Sequence, residues 1–144
     1  MKLYFLLIIF LIFIHSSYAK SNIIKLDENN FQDKVMNSEH NWFIKFHAPW
    51  CHYCKELVPE FDKLNEQNQL KDVKIGEVNC ETEKELCDKY NIEGLPTIKF
   101  FSSSQKQSPI EYDGQRTAED MYDFFYTVLE ENDEKESNKK KDEL

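Results

Sequence analysis

Glycine is nearly absent: the 144 residues hold 3. That leaves no glycine-rich loop to cradle a phosphate. No Ser–His–Asp signature is visible, and no Asn-x-Ser/Thr acceptor for N-glycosylation occurs. Positive charge is also short. Eighteen Lys and Arg against 27 Asp and Glu give a formal net charge of −9. Phosphate backbones are held by clustered basic surfaces, so nucleic acid is excluded as an expected partner. There is no internal repeat. Only one apolar run approaches membrane length, Leu3 to Ile14, and it is too short to span a bilayer comfortably.

That run has the marks of a secretory signal peptide over residues 1–19. Lys2 is a minimal positive start, and Ser17-Tyr18-Ala19 puts small residues where a signal peptidase reads. Removing Met1–Ala19 takes away only Lys2 and leaves the chain near −10. At the other end stands Lys141-Asp142-Glu143-Leu144, a KDEL retrieval signal read by a receptor as a free C-terminus. Together the two ends predict the endoplasmic reticulum lumen, a compartment that tolerates disulfides, with no stable membrane insertion.

Between these ends the patterning predicts nine elements. Asn22–Leu26 reads as a strand, then Asp27 caps a helix over Glu28–Met36. Trp42–His47 is an aromatic-rich central strand. Cys51 to about Gln69 is a helix with Leu57, Phe61 and Leu64 on one stripe, and Pro59 should kink it. Val73–Asn79 alternates as a strand, Glu83–Tyr90 is a short helix, and Thr97–Phe101 and Pro109–Tyr112 are strands around a polar loop. A last helix from Thr117 or Ala118 buries Met121, Phe124, Phe125, Val128 and Leu129. Glu131 onward has no apolar residue before Leu144 and reads as a charged disordered tail, residues 131–144. The alternating order argues a parallel core with a terminal hairpin, hence an α/β domain over residues 20–130 with helices on both faces.

The chemistry concentrates in Ala48-Pro49-Trp50-Cys51-His52-Tyr53-Cys54-Lys55. Two thiols at i and i+3 open a helix. One can attack a foreign disulfide and the other resolve the mixed disulfide. The helix start favours the thiolate, which is the reactive form. Spacing alone leaves zinc open, since two metal thiolates share it and Cys80-x6-Cys87 supplies two more sulfurs.

The chain resembles the thioredoxin superfamily, in particular its protein disulfide isomerase branch. The match rests on Phe46-His47-Ala48-Pro49-Trp50-Cys51-x-x-Cys54-Lys55, Pro59-Glu60-Phe61, Val78-Asn79-Cys80, Cys87-x-x-Tyr90, Gly94-Leu95-Pro96-Thr97 and Tyr112-x-Gly114-x-Arg116. The resemblance implies a thioredoxin-like fold with a central mixed β-sheet flanked by helices. It implies a thiol–disulfide oxidoreductase without cofactor or metal, acting on unfolded or disulfide-containing secretory polypeptides and recharged by a thiol oxidase or glutathione. Cys51 would be the attacking thiol and Cys54 the buried resolving thiol. Pro96 would be cis and expose the Leu95 backbone to an extended substrate. Trp50 would pack beside the site and Arg116 would tune Cys54. Cys80 and Cys87 would form a structural disulfide contributing roughly 2–3 kcal/mol in the chain-entropy model, with a regulatory redox role as the alternative.

Two departures stand out. His52-Tyr53 replaces the branch's usual Gly-His, so His52 either tunes the Cys51 thiol or is an exposed turn residue, and Tyr53 adds at most a hydrogen bond. Lys45 occupies the position of the family's buried carboxylate. It either assists the resolving step or pairs with an acid such as Glu77. Two other function classes remain open: a redox-inactive chaperone-like binding module on the same fold, and a lumenal reductase or disulfide-held partner dedicated to one client.

Overall fold

The computed structural model describes residues 23–70 and 72–142. The expected signal peptide and the last two residues of the retrieval motif lie outside them. The elements run β1 (Ile24–Leu26), α1 (Gln32–Met36), β2 (Asn41–His47), α2 (His52–Gln67), β3 (Val73–Asn79), α3 (Lys84–Lys89), β4 (Thr97–Phe101), β5 (Ile110–Tyr112) and α4 (Ala118–Asp142). They form the expected mixed sheet, in the order β1-β3-β2-β4-β5. β1 and β2 run parallel to β3, while β4 is antiparallel to both β2 and β5.

β2 lies at the centre because its sequence suits burial on both faces. Asn41 to Phe46 are all buried and only His47 at its end is partly exposed. Alternate residues then feed two cores. Trp42, Ile44 and Phe46 join Leu26, Phe31, Val35, Val78 and Leu86 under α1 and α3. Phe43 packs on the opposite face with Leu57, Phe61 and Leu64 of α2 and Met121 and Phe125 of α4. Gly76 on β3 is fixed by close approach. A Cβ there would stand 2.7 Å from Leu26 Cδ1 and 3.4 Å from Trp42 Cε3.

Two elements differ from the sequence expectation. Asp27, expected as the N-cap, accepts the N–H groups of Asn29 and Asn30 at 2.9 and 2.8 Å, but this closes a turn ahead of the first helix, whose N-cap is Phe31 without a side-chain bond. Past that turn, however, the chain winds as a π-helix over Gln32–Met36, closed by Asn37 N–H to Gln32 O at 2.9 Å. The second is a correction at the C-terminus. The segment expected to be disordered from Glu131 continues α4 to Asp142. It contains no Gly or Pro and is dominated by Glu and Lys, which lose little freedom in a helix. Glu131 and Lys135 approach to 3.7 Å at i,i+4. α2 runs through Pro59 to Gln67, close to its expected end.

Two side chains tie the layers. Glu60 on α2 accepts the Ala118 N–H at 2.8 Å and so caps α4 from a neighbouring helix. Lys106, in the loop between β4 and β5, is buried and donates from Nζ to the carbonyls of Val35 and Ser38 at the end of α1. Its sequence neighbourhood is polar, so nothing local announced a core position. Lys106→Met keeps the aliphatic stem and takes the ammonium from both carbonyls, leaving Val35 O the Ser38 hydroxyl at 3.2 Å. The expected cost is about 1–3 kcal/mol of unfolding free energy, read from the denaturation midpoint in urea.

Candidate active site

After β2 the backbone turns through Ala48, Pro49 and Trp50, with Cys51 N–H donating to Ala48 O at 3.2 Å. Cys51 is the N-cap of α2. Its backbone is extended (φ −75°, ψ 117°) and its Sγ accepts the Cys54 N–H at 3.2 Å. A serine or aspartate oxygen ordinarily holds this position, so a sulfur placed there is solvated by an orphan helix donor. The same donor and the helix dipole favour a thiolate at Cys51. Cys51 and Cys54 are joined as a disulfide with Cα atoms 5.2 Å apart, and Cys80 pairs with Cys87 at 5.8 Å.

The two active-site sulfurs are not equivalent. Cys51 and Cys54 both pack with Ala48 and Leu95. Only Cys51, however, lines the open groove of about 610 Å³ that runs past Trp50, Tyr53, Ile92 and Leu95. Cys54 faces inward on the stripe it shares with Leu57, Phe61 and Leu64. The Leu95–Pro96 bond is cis, as the resemblance implied. Trp50 is 68% exposed and Tyr53 63%, an aromatic rim beside the attacking sulfur.

The remaining sequence candidates fall in different places. His52, the first residue of α2, is exposed, lines the groove with Cys51, and points its Nε2 at Glu56 Oε1, 3.4 Å away at i,i+4. Arg116 Nη2 donates to the Pro96 carbonyl at 3.4 Å, so it meets the site through the cis-proline segment. Cys80 and Cys87 are distant from the dithiol in sequence, yet both line the same groove as Cys51.

Lys45 is buried and makes its ion pair across the sheet. Its Nζ lies 3.1 Å from Glu77 Oε2 and 4.9 Å from the Phe61 ring centroid on α2. Strand register explains the pairing, since Lys25, Glu77 and Lys45 stand in one row across β1, β3 and β2. Glu77 also approaches His47 Nε2 at 3.8 Å, where both open onto a cleft of about 300 Å³ at the sheet's end. The sequence offers Glu77 only as one acid that Lys45 could meet and places His47 at the end of a strand. The available signal was a charge recurring at inward positions of adjacent strands, which only the register connects.

Burial holds the His47 pKa below its usual 6.5. Glu77 opposes that shift, while Lys45 and Lys25 add to it. The folded state therefore binds fewer protons than the unfolded chain between the two pKa values. Stability contributed by neutral His47 is present above pH 6.5 and is lost as pH falls through that value towards the folded pKa. Melting temperatures measured across this window should fall less steeply in His47→Gln than in the parent protein.

Comparison with known proteins matches the thioredoxin family over residues 22–127. A Dictyostelium discoideum relative bearing a protein disulfide-isomerase name is 47% identical over 117 residues, 78% of this chain and 28% of that protein. The Caenorhabditis elegans protein disulfide-isomerase A6 homolog is 43% identical over 105 residues, 72% of this chain and 23% of that protein. The chain thus spans about a quarter of the length of such relatives. Among solved structures, the Trx4 domain of ERdj5 superimposes with a TM-score of 0.68 at 27% identity, covering 75% of this chain and 96% of that one. With a sheet of thioredoxin order, a cis-proline and a Cys51–Cys54 pair at the start of α2, this chain belongs to the thioredoxin family.

Proposed function

We propose that the protein is a thiol–disulfide oxidoreductase of the protein disulfide isomerase type that acts on secretory polypeptides in the endoplasmic reticulum lumen. The observation that carries this reading is the inequality of the two sulfurs. Both are buried, but Cys51 lines the groove and caps α2, whereas Cys54 does not reach that groove. A client thiolate can reach Cys51 Sγ. Attack there forms a client–Cys51 disulfide and releases Cys54 as the thiolate. A second client thiolate then attacks the client sulfur of that bond. The client gains its disulfide, and Cys51 leaves as a thiolate stabilised by the Cys54 N–H and the helix dipole. Run backwards, the reduced pair opens a client disulfide, and Cys54 resolves the intermediate.

The lumenal part of the proposal is supported by the apolar N-terminal run, the Lys141–Leu144 motif and the names of the relatives. Among the described residues no helix is long and apolar enough to cross a membrane. Partners on this reading are unfolded or disulfide-containing secretory chains, the retrieval receptor, and a thiol oxidase or glutathione.

Trp50, Tyr53, Leu95 and the cis-Pro96 segment serve as the client platform, and Arg116 braces that segment. Lys45 assists resolution from below. Its ammonium, held by Glu77, lies between β2 and the Phe61 ring of α2, the helix that carries Cys54.

Titration of the mature protein in glutathione buffers should place the Cys51–Cys54 couple near about −180 mV, the isomerase level. A value near about −270 mV would mark a reductase, and thiols that never exchange would leave only a binding module. Cys54→Ala should trap many clients as mixed disulfides; a single dominant partner would indicate a dedicated protein. Lys45→Met should slow release of a Cys51-bound client, followed by quenched-flow alkylation. An unchanged rate would remove Lys45 from the mechanism.

A further inference from the structure

The groove beside Cys51 has a second disulfide in its wall. Cys80 and Cys87 line it together with Trp50, Cys51, Ile92 and Leu95. Each half of that bridge is anchored to a different side of the groove. Cys80 donates its N–H to the His47 carbonyl at 2.8 Å, four residues before Cys51. Cys87 accepts the Ile92 N–H at its carbonyl at 3.0 Å, three residues before Leu95. The Cys80–Cys87 bond therefore joins the support of the attacking sulfur to the support of the cis-proline segment.

The segment between these anchors has little else to hold it. α3 is six residues long, too short to persist on its own propensity, and it buries only Leu86 and Cys87. Tyr90 adds one more buried ring just beyond its end. Such a segment opens locally at low cost unless a covalent tie restrains it. α2, by contrast, is seated by Leu57, Phe61 and Leu64 in the opposite core, so the Cys51 N-cap does not depend on α3.

We infer that the Cys80–Cys87 disulfide is a positioning element of the client site, fixing the α3 wall against which the polypeptide flanking a reacting cysteine lies. This rests on the oxidoreductase reading and adds to it a determinant of substrate class. The bridge favours peptide disulfides over small ones, because only an extended chain reaches the wall. It leaves the Cys51 chemistry to α2.

The test compares turnover of two substrates by the full mature chain, with excess reduced glutathione as the electron source: cystamine, and a short peptide with one internal disulfide. In the Cys80→Ala, Cys87→Ala double variant, kcat/KM for the peptide relative to cystamine should fall about tenfold, with the loss in KM and not in kcat. The reduction potential of the Cys51–Cys54 couple should stay at its parent value. Asp88→Trp keeps the bridge and adds bulk at an exposed position of the same wall. It should lower the ratio in the same direction, and it covers the case in which the double variant fails to fold. A parent-like ratio in Asp88→Trp and in any folded double variant overturns the inference and leaves the oxidoreductase reading standing. An equal loss on both substrates, the signature of general destabilisation, does the same. Failure of the parent protein to exchange with cystamine overturns both.

Discussion

A single hydrogen bond, from the Cys54 N–H to Cys51 Sγ at 3.2 Å, is the contact that the rest of the fold makes possible. It puts a polarisable sulfur where the first turn of a helix has unpaired donors, so the anionic form of Cys51 is solvated by the protein itself. Everything that fixes the start of α2 relative to the end of β2 therefore bears on reactivity. The Phe43–Phe61 stack, centroids 6.0 Å apart, seats α2 on the central strand. The Glu60 cap of Ala118 then locks α4 to the same helix. The tight turn at Ala48 leaves no slack between strand and sulfur.

The two faces of the sheet divide the labour. The α2–α4 face holds the dithiol and an ion pair of buried Lys45 with half-buried Glu77. Burying the ammonium is costly, and the attraction at 3.1 Å offsets that cost only while Glu77 remains. His47 brings the row to the edge of the sheet, where Glu77 is partly open to solvent. The α1–α3 face builds one wall of the groove beside Cys51 from a short helix and a disulfide.

Much of the fold was legible because its signals are local. Alternation and turn residues mark β3 and β4 at their observed bounds, and the apolar stripe marks α2, whose observed span is His52–Gln67. The tail misled because low hydrophobicity argues against a core but not against a helix. Residues 131–142 carry good helix formers and no breaker, and α4 extends through them. The π-winding of α1 and the burial of Lys106 had no local signature at all. The burial of Lys106 depends on a partner far along the chain, since Val35 and Lys106 are separated by 71 residues.

The sequence by itself determined the class of chemistry and the frame that carries it. Two cysteines three apart at a helix start, an alternating strand–helix order and a Leu95–Pro96 step are covalent or short-range facts, and short-range physics reads them. Only the tertiary structure decided which charges and sulfurs meet. Parallel register set Glu77 opposite Lys45, and the return of α3 over the first core brought Cys80 and Cys87 to the groove of Cys51. Those outcomes follow from how strands align and layers pack across dozens of residues, information that no window of the chain contains.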